Sequence, residues 1–175
     1  ILAFVGVSIG VMVLILSMAI MNGTAKEFEK KLFTMNYPLT IHPKFSTISL
    51  DQELLNNLQK EFPHLKFSPF ISSQAIIQSG ETMSGGMIFG VIPQKEALIN
   101  PVYKKALGDL NLDKFDIITG SGISDKLFLN PGTKTTLYFT ELNPTGFSMM
   151  PKMKRFTFAN SFTSGLNAYD KAYMY

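Results

Sequence analysis

Side chains that could do chemistry are few in this sequence and lie far apart. Neither His42 nor His64 has a carboxylate or a second histidine at the spacing of metal ligands, so we predict no metal site. The segment from Gly120 to Ser124 matches neither G-x-S-x-G nor G-x-G-x-x-G, and is only faintly similar to a nucleophile or phosphate loop. The carboxylates of Asp109 and Asp113 are predicted to be solvated in a polar connection. We therefore predict no catalytic residue and a role in binding or mechanical work.

An uncharged stretch, residues 1–25, stands at the start of the sequence and is apolar at almost every position. A helix that crosses a bilayer needs about 20 mostly apolar residues, and lipid offers no water to unpaired backbone groups. We therefore predict a transmembrane helix, and the start without methionine suggests a fragment of a longer membrane protein. The alternatives are a buried soluble helix and a cleaved signal peptide, although Ser17-Met-Ala19 is a poor cleavage site.

This helix is predicted to continue beyond the membrane as a stalk, giving a first region over residues 1–35. No proline interrupts residues 24–33, which are good helix formers. Gly23 is tolerable inside the helix or marks a bend near the membrane surface. One face of this helix carries an apolar stripe at helical spacing, formed by Ala25, Phe28, Leu32 and Met35. We expect this stripe to pack on the protein's own soluble domain, beside another membrane helix, or on both.

The composition excludes several classes of function. Hydrophobic residues make up 46% of the sequence, which is ample for a core. The 16 basic residues barely exceed the 13 acidic ones, and Arg155 is the one arginine, which argues against a nucleic-acid surface. The absence of cysteine excludes disulfides and thiolate metal sites. Charge does not decide the orientation of the helix, because acidic and basic residues are mixed just after it.

The rest of the sequence predicts an α+β fold, from period-two alternation in strands and capped apolar patterns in helices. A turn is predicted over residues 80–86, and a further element begins at residue 170. Helices are predicted over 51–62, from 93 (helical or turning), over 101–110 and over 121–128. Strands are predicted over 37–43, 66–78, 87–92, 115–120, 134–139 and 152–162.

A loop from Glu141 to Pro151 separates the last two long strands. Its two prolines stiffen it, and it carries three apolar side chains that we expect to be exposed, Phe147, Met149 and Met150. A tip of this kind is able to enter an apolar cavity of another molecule. The alternative is that these side chains fold back onto their own domain.

Four segments, in order and across nearly the whole chain, resemble the permease subunits of lipoprotein-releasing ABC transporters, LolC and LolE, within the MacB and FtsX superfamily. The segments are Val7–Leu14 with Met21-Asn-Gly23, Gly90-Val-Ile-Pro93, Asp116–Gly132 and Phe158–Tyr173. Three residues depart from the family pattern, and we expect turn and surface positions for them. They are Ser124 in place of Ala, Thr133 in place of Asp and Ala168 in place of Glu.

The resemblance implies a particular division of the chain. Family members have four transmembrane helices and a large periplasmic domain between the first and the second. Residues 36–92 would form the first half of a porter-like α+β part. Residues 93–175 would form most of an inserted, mostly β, Sabre-like part.

The resemblance also implies a function, that of a non-catalytic permease subunit in the bacterial inner membrane. It would extract lipoproteins from that membrane and hand them to a periplasmic carrier, with its soluble part in the periplasm. A separate cytoplasmic subunit would bind ATP, so no cofactor is expected in this chain. The other partners would be a second permease subunit, the carrier and the lipoprotein substrate. The first helix would transmit the motion.

A β-hairpin hook that holds the carrier is implied for the segment between the last two long strands, with a basic pad beside it. The hook residues would be Asn143, Pro144, Phe147, Met149, Met150 and Pro151. The pad would consist of Lys152, Lys154 and Arg155.

Two other functions stay open. A MacB-like efflux permease or an FtsX-like signalling permease shares the mechanics but not the carrier. A membrane-anchored sensor or binding domain with a single spanning helix needs neither. Three further hydrophobic segments downstream in the complete protein would exclude the single-span sensor.

Overall fold

The computed structural model describes residues 2–37, 39–42, 52–139 and 152–175 of the chain. Contacts between residues divide the chain into two compact units, residues 1–40 and residues 41–175. The loop from Glu141 to Pro151, which contains the predicted hook residues, lies outside the described residues. The strands on either side of it are described.

The first unit is dominated by one long helix, α1, which runs from Leu2 to Met35. At 1.5 Å per residue its 34 residues extend about 50 Å, more than a bilayer core requires. It is long and apolar enough to cross a membrane, with a mean hydropathy of 2.5 in its most apolar window. The helix continues through Gly23 to Met35 without a break, so the predicted continuation of the helix is confirmed, whereas its role as a stalk beyond the membrane stays a prediction.

The hydroxyl groups of α1 are satisfied within the helix itself. Ser8 donates to the carbonyl of Phe4 at 3.0 Å, and Ser17 donates to the carbonyl of Val13 at 2.8 Å. Thr24 makes the same bond one turn back, to Ile20, at 2.8 Å. A hydroxyl bonded in this way has no need of water, which explains how the helix carries polar side chains through an apolar stretch.

The described residues of the second unit form five short helices and six strands, in agreement with the predicted α+β class. Leu55 is the buried residue of α2, whereas its neighbour Leu54 is 47% exposed. The helices are α2 (Gln52–Glu61), α3 (Pro93–Ile99), α4 (Pro101–Leu107), α5 (Ser121–Lys126) and α6 (Asn167–Asp170). The strands are β1 (Phe70–Ser79), β2 (Thr82–Val91), β3 (Asp116–Gly120), β4 (Lys134–Phe139), β5 (Lys152–Phe162) and β6 (Tyr173–Met174).

The six strands close into a barrel in the order β1-β2-β6-β3-β5-β4. β1 and β2 form a long antiparallel hairpin whose loop is only Gly80 and Glu81, with Gly80 at a φ of 58°. The turn predicted over residues 80–86 was therefore too long, since residues 82–86 belong to β2. β6 lies between β2 and β3 and pairs with them through very few residues, so this short strand completes the barrel.

The core fills the interior of this barrel. Burying an aliphatic or aromatic side chain of this size contributes about 1.5–3 kcal/mol. The buried core residues come from β1, β3, β4, β5, β6 and α5 with the residues just after it, and β2 contributes the partly buried Ile88. Those with at most 2% exposure include Ile77, Ile117, Ile123, Leu137, Phe158 and Met174.

The strand predicted over residues 37–43 is not formed in its described part. Tyr37 and residues 39–42 have no regular secondary structure. Leu39 is 74% exposed and Ile41 is 56% exposed. Alternation alone did not make a strand here, because none of the described strands pairs with this segment.

The strands of residues 36–92 and of residues 93–175 belong to the same barrel. β1, from the first range, pairs with β4 from the second, for example Ile77 with Leu137. The described contacts therefore do not divide at residue 92. The assignment of the two ranges to a porter-like half and a Sabre-like insertion stays a prediction.

Two of the sequence segments that carry the resemblance meet at the turn before α6. The Asp170 carboxylate accepts hydrogen bonds from the Ser164 backbone N–H and hydroxyl, both at 2.7 Å. The Asp170 carbonyl lies where a Cβ on Gly120 would stand, so only glycine fits at the end of β3. The glycine of one segment thus accommodates the aspartate of the other, and this contact holds α6 and β6 in the barrel.

The three departures from the family pattern have local explanations. Thr133 closes the turn after α5, where its hydroxyl accepts the Asn130 N–H at 3.2 Å. Ala168 is exposed on α6. Ser124 is buried, at 6% exposure, and its hydroxyl donates to the Ser121 carbonyl at 2.9 Å. The expectation of turn and surface positions was therefore wrong for Ser124.

A buried polar cluster joins α3 and α4 to the start of β1. The Glu96 carboxylate, 1% exposed, accepts the Ser68 hydroxyl at 2.7 Å and the Asn100 amide at 3.4 Å. The Asn100 side chain also accepts the N–H groups of Val102 and Tyr103, which caps α4. Burial, aided by the negative charge of Glu96, raises the pKa of Tyr103 to about 12. The Tyr103 phenol therefore stays protonated at neutral pH.

Candidate functional site

The C-terminal part of α1 presents an apolar groove. The groove has a volume of about 520 Å³. Ala25, Phe28 and Leu32, three residues of the predicted stripe, lie along it. The other lining residues are Phe33, Tyr37 and the polar Glu29 and Asn36. Helical spacing places residues 25, 28 and 32 on one face, so the predicted stripe forms part of the wall of this groove.

The stripe changes in exposure along the helix. Ala25 is exposed and Phe28 is 53% exposed, whereas Leu32 is half-buried and Met35 is only 4% exposed. The half of the stripe nearer the apolar stretch is thus open in the described part of the chain. The packing of this stripe against a partner helix stays a prediction.

The predicted basic pad lies at the start of β5, where Lys152, Lys154 and Arg155 are all exposed. Opposite residues of paired strands share a face of the sheet. Lys154 is opposite the buried Leu137, whereas Arg155 is opposite Thr136. Lys152 and Lys154 therefore lie on the inner face and Arg155 on the outer face, so the three cations do not form one continuous patch.

The start of β5 is also an edge. β3 pairs with β5 only from Thr157 onward, so residues 152–156 have β4 as their one partner among the described strands. Lysines commonly protect such edges from pairing with other chains. Protection of the strand edge would explain these cations without any binding function. It is the alternative explanation to a basic pad that binds a partner.

One aromatic residue that the sequence did not single out lies against this edge. Phe115, just before β3, is 40% exposed, and its carbonyl accepts the Thr157 N–H at 2.8 Å. The Lys154 ammonium lies 4.3 Å from the centre of the Phe115 ring, and the Lys114 ammonium lies 5.7 Å from it. Both distances are within the range of a cation–π interaction. Sequence spacing could not reveal this cluster, because parallel pairing of β3 with β5 brings its members together.

Neither histidine joins a cluster with metal-binding groups in the described part of the chain. His64 is exposed and its ring meets that of Phe62 edge-on at 6.5 Å, and His42 is exposed. The described residues contain no group of three or more His, Cys, Asp or Glu side chains placed to hold a metal ion. Gly120 to Ser124 forms the corner between β3 and α5.

The chain matches the MacB-like periplasmic core domain over residues 1–169. Since this match includes most of the chain, the protein belongs to the family of MacB-like periplasmic core domains. Within that family its sequence is similar to LolC and LolE proteins, as the resemblance predicted.

Several curated proteins named LolC or LolE are similar to this chain. Lipoprotein-releasing system transmembrane protein LolC of Xylella fastidiosa (strain Temecula1) is 25% identical over 173 residues, 97% of this chain and 42% of that protein. LolC of Neisseria meningitidis serogroup B is 27% identical over 95% of this chain and 41% of that protein. LolE of Haemophilus influenzae is 27% identical over 79% of this chain and 35% of that protein. The chain therefore spans about two fifths of the length of the LolC relatives.

Proposed function

We propose that the protein is a permease subunit of an ABC transporter that extracts lipoproteins from the inner membrane and delivers them to a periplasmic carrier. The observation that carries the proposal is the similarity to LolC over 97% of the chain. Relatives named as transmembrane proteins of a lipoprotein-releasing system match from the apolar helix through the barrel. A protein of this kind needs no catalytic residue of its own, since a separate cytoplasmic subunit hydrolyses ATP.

The first helix supports a mechanical role. α1 is one unbroken helix of 34 residues, which extends well past the length needed to cross the bilayer. A rigid helix transmits a displacement along its axis, whereas a flexible linker does not. We propose that motion started by the ATPase reaches the periplasmic unit along α1. The open groove at Ala25, Phe28 and Leu32 would then receive a helix of the second permease subunit.

The proposed location is the bacterial inner membrane, with the unit of residues 41–175 in the periplasm. The support is the match to a periplasmic core domain together with the apolar α1. The partners in this proposal are the second permease subunit, the cytoplasmic ATPase, the lipoprotein and the carrier.

The carrier is proposed to bind at the segment that joins β4 and β5. That segment, residues 140–151, contains Phe147, Met149 and Met150, whose apolar side chains suit a cavity that also accepts lipid chains. The flanking Lys152 and Lys154 would contribute electrostatic attraction and faster association.

A capture experiment tests this assignment. The complete transporter, with Phe147→Glu or Met150→Glu, is used to capture the purified periplasmic lipoprotein carrier of the same organism. We expect each substitution to weaken capture at least tenfold, because a charge would have to enter an apolar cavity. Thr82→Glu, which adds the same charge at the tip of the β1–β2 hairpin, is the matched control and should bind normally. Normal capture by both loop variants would refute the hook.

A second candidate function is a MacB-like efflux or FtsX-like signalling permease. It is favoured by the family match, which is to a MacB-like core domain and does not itself imply a carrier. Loss of lipoprotein sorting in cells depleted of the protein supports release. Normal sorting together with lost efflux or lost septal signalling supports this second candidate.

A further inference from the structure

On the inner face at the start of β5, a lysine lies against an aromatic ring. Strand pairing alone does not explain this contact. Lys154 projects from the same face as buried Leu137. It does not extend into solvent alone, because its ammonium lies 4.3 Å from the centre of the Phe115 ring. A lysine side chain held against a ring loses part of the rotamer freedom that otherwise weakens surface charge pairs.

Phe115 is itself fixed in position. Its ring meets the ring of Phe156 edge-on, with centroids 5.9 Å apart, and Phe156 packs against the core. Its carbonyl accepts the Thr157 N–H, which ties it to β5. Phe115 is nevertheless 40% exposed, so part of this residue stays open to solvent.

The charges around the ring are mainly positive. The exposed Lys114 and Lys154 have their ammonium groups 5.7 Å and 4.3 Å from the ring centre, and the exposed Lys152 lies opposite Phe139 at the start of β5. The nearest acidic residues in sequence are Asp113 and Asp116, and one Asp116 oxygen already accepts the Asp113 N–H at 2.8 Å. A partner with clustered carboxylates would therefore meet ammonium groups that are already partly ordered. Binding would then cost less side-chain conformational entropy.

Lys154 lies near the end of the barrel where the 140–151 segment attaches, since β4 ends at Phe139 and β5 begins opposite it at Lys152. β3 runs parallel to β5 but begins further along it, where Asp116 is opposite Thr157. Phe115 immediately precedes β3. Lys126, at the end of α5, follows the other end of β3 and so marks the opposite side of the barrel.

We propose that Phe115 and Lys114 belong to the carrier-binding surface, where the Phe115 ring is a positioning residue that holds the Lys154 ammonium for carboxylates of the carrier. This inference rests on the proposed function, because it takes the carrier as the partner. It replaces a pad of three consecutive basic residues with a cluster across two strands, Lys114–Phe115–Lys154, with Lys152 beside it and Arg155 on the other face.

The test measures the dissociation constant of the carrier for the complete transporter in nanodiscs, at several salt concentrations. Phe115→Leu keeps the apolar volume but removes the aromatic face, and we expect about two- to fivefold weaker binding at low salt. Phe115→Tyr, which keeps the ring, should bind as the natural protein does. Lys154→Gln should weaken binding and reduce its salt dependence.

The double variant separates positioning from a merely structural role. If Phe115 acts through Lys154, Phe115→Leu has no further effect in the Lys154→Gln background. Lys126→Gln removes an equal charge at the opposite end of β3 and should leave binding unchanged. An equal loss from Phe115→Leu in both backgrounds, or no loss in either, would overturn the proposal.

The outcome also distinguishes this inference from the proposed function. If Phe147→Glu abolishes binding while Phe115→Leu and Lys154→Gln do not weaken it, the carrier assignment stands and the Phe115 cluster is only an edge-protecting feature. If the natural protein itself does not bind the carrier, the proposed function fails first.

Discussion

At the scale of single residues, Phe128 is the most unusual position in the described chain. It has a φ of 51°, and its side chain is 83% exposed. It ends α5 in a Schellman arrangement, in which the Leu129 N–H donates to the Ser124 carbonyl at 2.9 Å and the Phe128 N–H to the Asp125 carbonyl at 3.3 Å. Glycine normally occupies this position because it has no Cβ to clash.

Phe128→Gly is therefore expected to stabilise the protein. Relief of the left-handed conformation should raise the free energy of unfolding by about 1 kcal/mol, and the exposed ring has little packing to lose. Chemical denaturation of the purified protein, followed by circular dichroism, measures the change. Phe128→Ala keeps the strained conformation and should stay within about 0.5 kcal/mol of the natural protein. A loss of stability in Phe128→Gly would show that the ring packs on something.

Some residue roles were readable from the sequence and others were not. The apolar stripe from Ala25 to Met35 followed from spacing alone, because a helix fixes which residues share a face. The Phe115–Lys154 contact depends on two strands that meet only after the barrel closes. Ser124 was misplaced on the surface, because a serine can be buried when its hydroxyl finds a local carbonyl.

At the scale of elements, the short β6 depends on close backbone approach. The carbonyl of Asp170 occupies the space of a Cβ on Gly120, and the carbonyl of Ala172 does the same for Gly86. A backbone carbonyl cannot move away from an added Cβ as easily as the end of a flexible side chain can. These two glycines therefore allow α6 and β6 to lie between β2 and β3.

Gly120→Ala is expected to detach this element. The added methyl group meets the Asp170 backbone, and we expect a loss of about 3 kcal/mol or more in the free energy of unfolding. Hydrogen exchange of the amides in residues 167–175 should rise sharply, since local opening exposes them first. Gly85→Ala, on β2, has nothing within 4 Å of the new Cβ and is the matched control. Unchanged protection in Gly120→Ala would contradict this account of the barrel.

Individual strands were better predicted than their arrangement. β1, β3, β4 and β5 follow from alternation and from flanking glycine and proline. The position of β6 does not, because its pairing spans only Tyr173 and Met174 and is set by distant glycines. The described part of the strand predicted over residues 37–43 shows the converse, since alternation without a neighbouring strand leaves Tyr37 and residues 39–42 irregular.

At the scale of the whole molecule, the family and the course of the first helix were correctly inferred from the sequence. Membrane helices are readable because lipid imposes length and apolarity on them. The division at residue 92 could not be settled in this way, because the six strands share one barrel. Substrate and carrier enter only as proposals from relatives of which this chain spans two fifths.

We propose that the complete protein releases lipoproteins and that an unbroken α1 couples this release to ATP hydrolysis. Gly23 is the position at which to test it, because the helix passes through it with nothing within 4 Å of an added Cβ. Gly23→Ala removes a weak helix former and should preserve release. Gly23→Pro breaks a backbone hydrogen bond and kinks the helix at the same place.

The decisive measurement is ATP-dependent release of lipoproteins from vesicles that contain the complete transporter, into a soluble fraction with the carrier. The account predicts release by the natural protein and by Gly23→Ala, and at least a tenfold slower release by Gly23→Pro while ATP hydrolysis continues. Equal release by Gly23→Pro would contradict the coupling role of α1. No release by the natural protein, with all components present, would contradict the proposed function itself.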